Sequence, residues 1–529
     1  MTETRFPRFA AVAPHRLAAE SGRAVLAEGG NAVEAMLAMA ATIAVVYPHM
    51  NSLGGDAFWL TADRNRRVRY IEACGPAGAK ATIASYREAG HDAIPSRGPL
   101  AALSVPGAVG GMAKALELAR GLGGRLPLAD LLGDAVRHAR EGCPVSASLA
   151  RNEPSELEAL KAAPGFAAVF LEGGKLPQAG AGLKQPALAD MIAHIGRAGL
   201  EDFYRGDVGR EIAADLTAIG SAVTRGDLEA YGAVEREPLS VELQLARIFN
   251  SPPPTQGLAS LMILALFERL GVASPESFEH VHGLIEATKR AFAARNRIVT
   301  DFARLREDPA GVLTAEHLER EAATIDMKQA APFGGAVPIG DTVWMGAIDA
   351  DGVAVSYIQS LYWEYGSGCV LPRTGLLMQN RGVSFSLDPD ALNPLEPGRR
   401  PFHTLNPPLA LFRDGRVMSY GAMGGDGQPQ FQAALFTRHA VFGQPLDQAI
   451  DAPRWLLGRT WGKTRIDLTL ESRFDDSLVR ALERAGHPVL RLDAAYDEGL
   501  GQVGALVRYP DGSVEAAHDP RSDGGALGG

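Results

Sequence analysis

Thr342 heads an apolar run, TVWMGAID, directly behind Gly340 and Asp341. A threonine hydroxyl seldom gives up its proton near neutral pH, so as a nucleophile it needs a base beside it. Other chemistry-bearing groups are scattered. His280, His282 and Glu286 share one helical stretch, but histidines two residues apart on a helix point about 200° from one another, and the set reads as ordinary helix residues rather than metal ligands. His49 in YPHMNSLGG and His403 in RRPFHTLNPP read, taken alone, as hydrogen-bonded structural histidines or as acid–base groups. The Gly-Gly pairs at 54–55, 110–111 and 424–425 read as turns or close packing. A Walker phosphate loop, a Gly-x-Ser-x-Gly elbow, a His-Glu-x-x-His helix and a dinucleotide fingerprint are all missing from the sequence.

The elements that must hold such groups are legible in outline. A chain of 529 residues, 46% hydrophobic and 22% charged, buries a large core and has the composition of a globular enzyme. Lys plus Arg (52) against Asp plus Glu (62) leaves a net charge of −10, which disfavours nucleic acid or an anionic membrane as partner and favours a small molecule. Cys74, Cys143 and Cys369 are odd in number and far apart, so they read as small buried hydrophobes. The start, MTETRFPRFAAVAPHRLAAE, lacks the apolar core of a secretory peptide, so a cytoplasmic location is expected. AMLAMAATIAVVY (35–47) is too short to span a bilayer and reads as a core helix.

Residues 16–46 read as two helices parted by AEGGN, with Asn31 capping the second. The middle of the chain reads as mostly helical, with LADLLGDAVRHAREG and ALADMIAHIGRAGLEDFYRG carrying helical periodicity and a further strong helix at 278–298. SPPPTQG (251–257) is a rigid lead into a helix near Leu258. From Thr342 onward strands are expected: TVWMGAID and VAVSYIQS about an Asp351-Gly352 hairpin turn, then GLLMQN, LALFRDG, RVMSYGAMGG and GALVRYPDG.

Taken together, GDTVWMGAIDADGVAVSYIQSLYWEYGSG, NAVEAMLAMAATIAVVYPHMNSLGGDAFWL, SVPGAVGGM, RRPFHTLNPPLALF, YGAMGGDGQPQ and DPRSDGGA resemble the γ-glutamyltransferase family of amino-terminal-nucleophile hydrolases, in order, from about residue 11 to the end. The resemblance implies an α+β fold in one four-layer αββα unit, two stacked and mainly antiparallel sheets covered by helices. It implies a precursor that cuts itself at Asp341-Thr342, leaving a large chain 1–341 and a small chain 342–529 that stay together as a heterodimer, with a dimer of heterodimers as a further option. Cleavage would put nucleophile and base on one residue, since an α-amino group with a pKa of about 7.7–8.0 can accept the hydroxyl proton. By the same resemblance Gly424 and Gly425 offer backbone N–H groups to an oxyanion, and Ser360 stands where a family threonine hydrogen-bonds the nucleophile. No cofactor or metal is implied.

The chain departs from the γ-glutamyl pattern where that family clamps an amino acid. Glu72 or Ala73 falls near the place of a carboxylate-binding arginine, and Ser384 stands where an ammonium-binding acid is expected. Asn380 is kept, but Arg381 replaces a glutamine, Tyr362 an asparagine, and His403-Thr404 a serine pair. An arginine in that pocket inverts the preferred charge. The expected substrate is therefore a short acidic amide, its carboxylate gripped by Arg381 with His403 and Thr404, in a pocket shortened by Tyr362 and Trp363. Within the family the YPHMN, QSLY, QNRG, HTLNP and GGDGQPQ set is similar to the branch that hydrolyses oxamate in purine breakdown. A γ-glutamyl hydrolase or transpeptidase, an acylase on a larger amide, and an uncleaved ligand-binding scaffold stand as alternatives.

Overall fold

The first two helices form where the turn residues direct. α1 (Arg16–Ala27) ends ahead of Gly29-Gly30, and Asn31 caps α2 (Ala32–Val46), accepting from the N–H groups of Val33 and Glu34 while the Glu34 carboxylate accepts from the Asn31 N–H at 3.1 Å. Every residue of α2 is buried, as an alanine-rich helix with no polar face requires. The computed structural model describes residues 4–151, 156–334, 341–458 and 467–529.

Fourteen strands build two seven-stranded sheets: β1 (Arg5–Phe6), β2 (Ala10–Ala13), β3 (Asp56–Ala62), β4 (Val68–Ala73), β5 (Val234–Arg236), β6 (Leu239–Glu242), β7 (Ala246–Asn250), β8 (Asp341–Ile348), β9 (Ala354–Tyr362), β10 (Leu409–Phe412), β11 (Val417–Ala422), β12 (Val503–Arg508), β13 (Val514–His518) and β14 (Gly525–Gly528). One sheet runs β14-β2-β8-β9-β3-β4-β5 and the other β1-β13-β12-β11-β10-β7-β6, with every pairing antiparallel. Each sheet thus takes strands from before and after Thr342.

Alternation along the strands separates three cores. Phe58, Leu60, Trp344, Ile348 and Ile358 face the second sheet and meet Leu409 and Leu506 there. The residues between them, among them Trp59, Val343, Met345 and Tyr357, point the other way onto α1, α2 and α3 (Ala108–Gly121). The second sheet's outer face packs on α4 (Gly257–Arg269), α5 (Phe278–Ile298) and α6 (Gly427–Phe436). The result is a four-layer αββα sandwich. Trp344 sits in its centre, donating from Nε1 to Ser356 Oγ at 2.9 Å; a Cβ on Gly421 would lie 2.1 Å from its ring, so glycine lets the sheets close over the indole.

Three expectations need correction. GLLMQN forms no ladder: the N–H groups of Met378, Gln379 and Asn380 donate to three separate segments, at Cys369, Gly54 and Leu361, which leaves only isolated bridges at Leu377 and Met378. LADLLGDAVRHAREG is two helices, Leu128–Leu131 and Gly133–Glu141, and ALADMIAHIGRAGLEDFYRG is broken at Gly199, whose φ is +97°. The three cysteines are buried and unpaired. No helix among the described residues is long and apolar enough to cross a membrane.

Candidate active site

The β8–β9 ladder is irregular at one point, and Thr342 occupies it. Asp341 pairs with Tyr362 and Val343 with Gln359, so two residues of β9, Ser360 and Leu361, stand opposite Thr342 and β9 bulges there. Thr342 is 1% exposed, and Gln428 in the first turn of α6 donates from Nε2 to its Oγ1 at 3.4 Å. The start of α6 therefore lies at the hydroxyl, the end of a helix that favours negative charge. Ser360 is nearby on β9, where its Oγ accepts from the Tyr362 N–H at 2.8 Å. Tyr362 holds φ at +88°, a strained value for a side-chain-bearing residue. The Asp341 side chain and residues 335–340, Gly340 included, lie outside the described residues.

Gly424 and Gly425 follow β11, past Met423, with φ of +115° and +54°, values that L side chains rarely adopt. Their N–H groups donate to no acceptor among the described residues. Behind them Gln256 donates from Nε2 to the carbonyls of Thr404 (2.6 Å) and Gly425 (2.9 Å), and its Oε1 accepts from Arg295 Nη1 at 2.7 Å. Arg295 also pairs with Asp426 at 2.8 Å.

Across Tyr362 lies a second group. The Arg381 guanidinium stacks 3.7 Å from the Tyr362 ring centroid. Its Nε and Nη2 both donate to the Phe402 carbonyl, at 2.8 and 2.6 Å, which leaves Nη1 buried without an acceptor. Thr404 Oγ1 and both His403 ring nitrogens are also buried without hydrogen-bond partners. Asp56, opposite Ser360 in the β9–β3 ladder, accepts at Oδ1 from the N–H groups of Gly75 (3.0 Å) and Gly107 (3.1 Å) and from Gln379 Nε2 (3.1 Å). Its Oδ2 has no hydrogen bond and stands 3.5 Å from His403 Nε2. Asn380 is committed to backbone, donating to the Ser96 carbonyl at 2.9 Å and accepting from the Trp363 N–H at 3.1 Å.

Burial sets the charges here. It pushes Arg381 down to about 10, opposed by Tyr362, Asp56 and Asp426. It holds His403 well below its usual value, with Arg381 and Arg400 adding to the effect, so the imidazole is neutral and its approach to Asp56 is a contact rather than an ion pair. Burial also lifts Asp56 to about 7, against the pull of its Gly75, Gln379, Arg381 and Gly107 neighbours. A hydroxyl under a helix start, two free glycine N–H groups and a buried cation suit nucleophilic attack on a carbonyl next to an anionic group.

The family model described as Gamma-glutamyltranspeptidase matches residues 18–529. The chain belongs to the gamma-glutamyltranspeptidase family. It is 50% identical to the oxamate amidohydrolase proenzyme of Klebsiella pneumoniae subsp. pneumoniae, with 98% of each chain covered. It is 39% identical to a glutathione hydrolase-like proenzyme of Bacillus subtilis, again with 98% of each covered. Among solved structures it superposes on cephalosporin acylase from Bacillus halodurans with a TM-score of 0.90 and 30% identity, over 99% of this chain and 96% of that one. Membership makes the protein an amino-terminal-nucleophile hydrolase of amide bonds.

Within this member of the gamma-glutamyltranspeptidase family the two departures from the γ-glutamyl clamp are internally occupied or empty. Glu72 is buried between Arg236 (2.8 Å) and Arg400 (3.1 Å), and Ser384 Oγ has no partner among the described residues. His280 and His282 do point apart, His280 to Thr437 and His282 to Asp326 and His487. His282, Glu286 and His487 converge within 4.8 Å, a cluster that the sequence spacing could not show because His487 is 201 residues beyond Glu286. Lys289 already fills the cation's place there, 2.6 Å from the Glu286 carboxylate.

Sequence reasoning assigns no role to five groups of the site: Asp56, Gln256, Arg295, Asp426 and Gln428. Asp56, Asp426 and Gln428 lie inside the quoted stretches LGGDAFWL and GGDGQPQ, next to the glycines that were singled out. That adjacency is the signal that could have found them.

Proposed function

We propose that the chain matures by cutting itself at Asp341-Thr342 and then hydrolyses a small acidic amide of the oxamate class through a Thr342 acyl-enzyme. The Thr342 hydroxyl attacks the amide carbonyl while its proton passes to the new α-amine. The oxyanion is met by the Gly424 and Gly425 N–H groups, a donor of this kind being worth ~3 kcal/mol of barrier. Collapse expels ammonia, which takes its proton from the α-ammonium. Water, deprotonated by the same amine, then attacks the ester and releases the diacid. Maturation uses the same hydroxyl before the α-amine exists: it attacks the Asp341 carbonyl, its proton ends on the Thr342 nitrogen as the C–N bond breaks and the acyl group passes to oxygen, and water hydrolyses the resulting ester.

Arg381 grips the substrate carboxylate through Nη1, with Thr404 Oγ1 beside it and His403 contacting the amide end, while Tyr362 closes the pocket. The observation that carries this reading is the buried, unopposed Nη1, in a guanidinium stacked on the residue that pairs with Asp341. The 50% identity to an oxamate amidohydrolase proenzyme supports the same substrate class. The two fragments remain a heterodimer, since each sheet interleaves strands from both. The 0.90 superposition on a cephalosporin acylase favours, as a second reading, an acylase on a larger amide.

Ammonia release over oxamate, malonamate, succinamate, glutamine and glutathione, with a long-chain acyl amide alongside, separates these readings. Oxamate is expected to lead the panel and to lose its lead in Arg381→Ala. Turnover confined to γ-glutamyl donors or to the long-chain amide contradicts the assignment.

A further inference from the structure

The groups left open around Arg381 are not all donors. An acid amide brings a carboxylate and a carbonyl that only accept, and an –NH2 that must donate. Arg381 Nη1, Thr404 Oγ1 and the Gly424-Gly425 N–H groups answer the first two. The –NH2 hydrogens need an acceptor, because a donor buried without one costs about 1–3 kcal/mol. Among the described residues the unsatisfied buried acceptors around Asp56 and Arg381 include Asp56 Oδ2, Gln379 Oε1 and the lone pair of neutral His403.

We propose that Asp56 is a positioning residue: through His403 Nε2 it fixes the imidazole tautomer, so that His403 Nδ1 stands as the acceptor that reads the –NH2 of a primary amide. The proposal rests on the acid-amide reading above and deepens it. Three donors lock Asp56 Oδ1, so the carboxyl group is held in one orientation with Oδ2 turned to His403 at 3.5 Å. His403 is pinned as well. Its N–H donates to the Pro254 carbonyl at 2.8 Å, its carbonyl accepts from the Gln256 N–H at 3.0 Å, and its ring stands edge-on to Phe58 at 5.0 Å. A neutral imidazole has one N–H and one lone pair. Above about pH 7, where Asp56 is ionised, a carboxylate oxygen faces Nε2, so the N–H belongs at Nε2 and the lone pair at Nδ1. The charged and titratable groups that act on the pair are Arg381, Arg400, Cys74, Tyr204 and Tyr231, and the two that act on His403, Arg381 and Arg400, both resist a second proton on the ring.

Asp56→Asn tests this with little change of shape. The amide oxygen can keep the three donors on Oδ1, while its –NH2 faces Nε2 and turns Nδ1 into a donor. At pH 8 to 8.5 the expected result is a kcat/KM for oxamate lowered about 10- to 100-fold, and one for monomethyl oxalate, an ester of similar size with no N–H, changed less than about threefold. Equal losses on both substrates, or no loss on oxamate, overturn the proposal while leaving the acid-amide reading in place. If the wild type turns over other amides but not oxamate, that reading falls and this proposal with it. Should Asp56→Asn fail to fold, 15N spectroscopy of the histidine side chains in the wild type decides: His403, identified by the signal missing from His403→Gln, is expected as the Nε2–H tautomer above pH 8, and an Nδ1–H signal overturns the proposal.

Discussion

Arg295 and Arg381 are each 1% exposed, yet they stand in opposite condition. Arg295 has a carboxylate, Asp426, at 2.8 Å, the Gln256 amide oxygen at 2.7 Å and Asn296 on its remaining edge. Arg381 has one backbone carbonyl, the face of Tyr362 and an idle Nη1. A buried charge is expensive unless paired. The first arginine is therefore part of the scaffold, tying Asp426 and Gln256 behind Gly425, whereas the second is incomplete until an anion arrives.

Breaking each arginine should separate the two roles. Arg295→Met leaves Asp426 buried without its partner and is expected to cost about 3–5 kcal/mol of stability, seen as a lowered thermal midpoint, together with loss of activity as Gly425 is released. Arg381→Met should keep stability within about 1 kcal/mol of wild type, yet lower kcat/KM for oxamate roughly 100- to 1,000-fold, because the substrate carboxylate then has no cation. A large stability loss in Arg381→Met would erase the contrast.

The contrast extends to pH. Asp56 has a folded-state pKa raised to about 7, so the folded chain holds its proton where the unfolded chain does not. That contribution is complete below about pH 4 and is lost as pH rises through about 7. Between pH 5 and 7 wild type should lose roughly 2 kcal/mol relative to Asp56→Asn in parallel thermal melts. The smallest effect is expected at Gln428, whose 3.4 Å bond to Thr342 is long. Gln428→Ala should lower kcat by no more than about tenfold, measured in single-turnover assays.

The parts of the molecule that follow from local spacing were legible in the sequence. Asn31 caps its helix, Asp351-Gly352 lies in the hairpin turn between β8 and β9, and Thr342 is the second residue of β8. GLLMQN misled because its apolar side chains are buried as a strand's would be, while its N–H groups are shared among three segments. The nucleophile end was legible by resemblance, since its residues lie in recognisable stretches. The supporting shell was not. Asp56, Gln256, Arg295 and Asp426 are ordinary residue types in separate stretches, and what marks them, a partner satisfied or left idle, exists only once the sheets stack. Only the resemblance separates Arg381 from Arg295; composition and periodicity treat the two alike.

The intact masses of the purified wild type and of Thr342→Ala test the central claim most directly. Self-cleavage by the Thr342 hydroxyl predicts two fragments, 1–341 and 342–529, for the wild type, and one unbroken, inactive chain for the variant. A wild type that is active as a single chain, or a Thr342→Ala chain still cut at that bond and active, would contradict it.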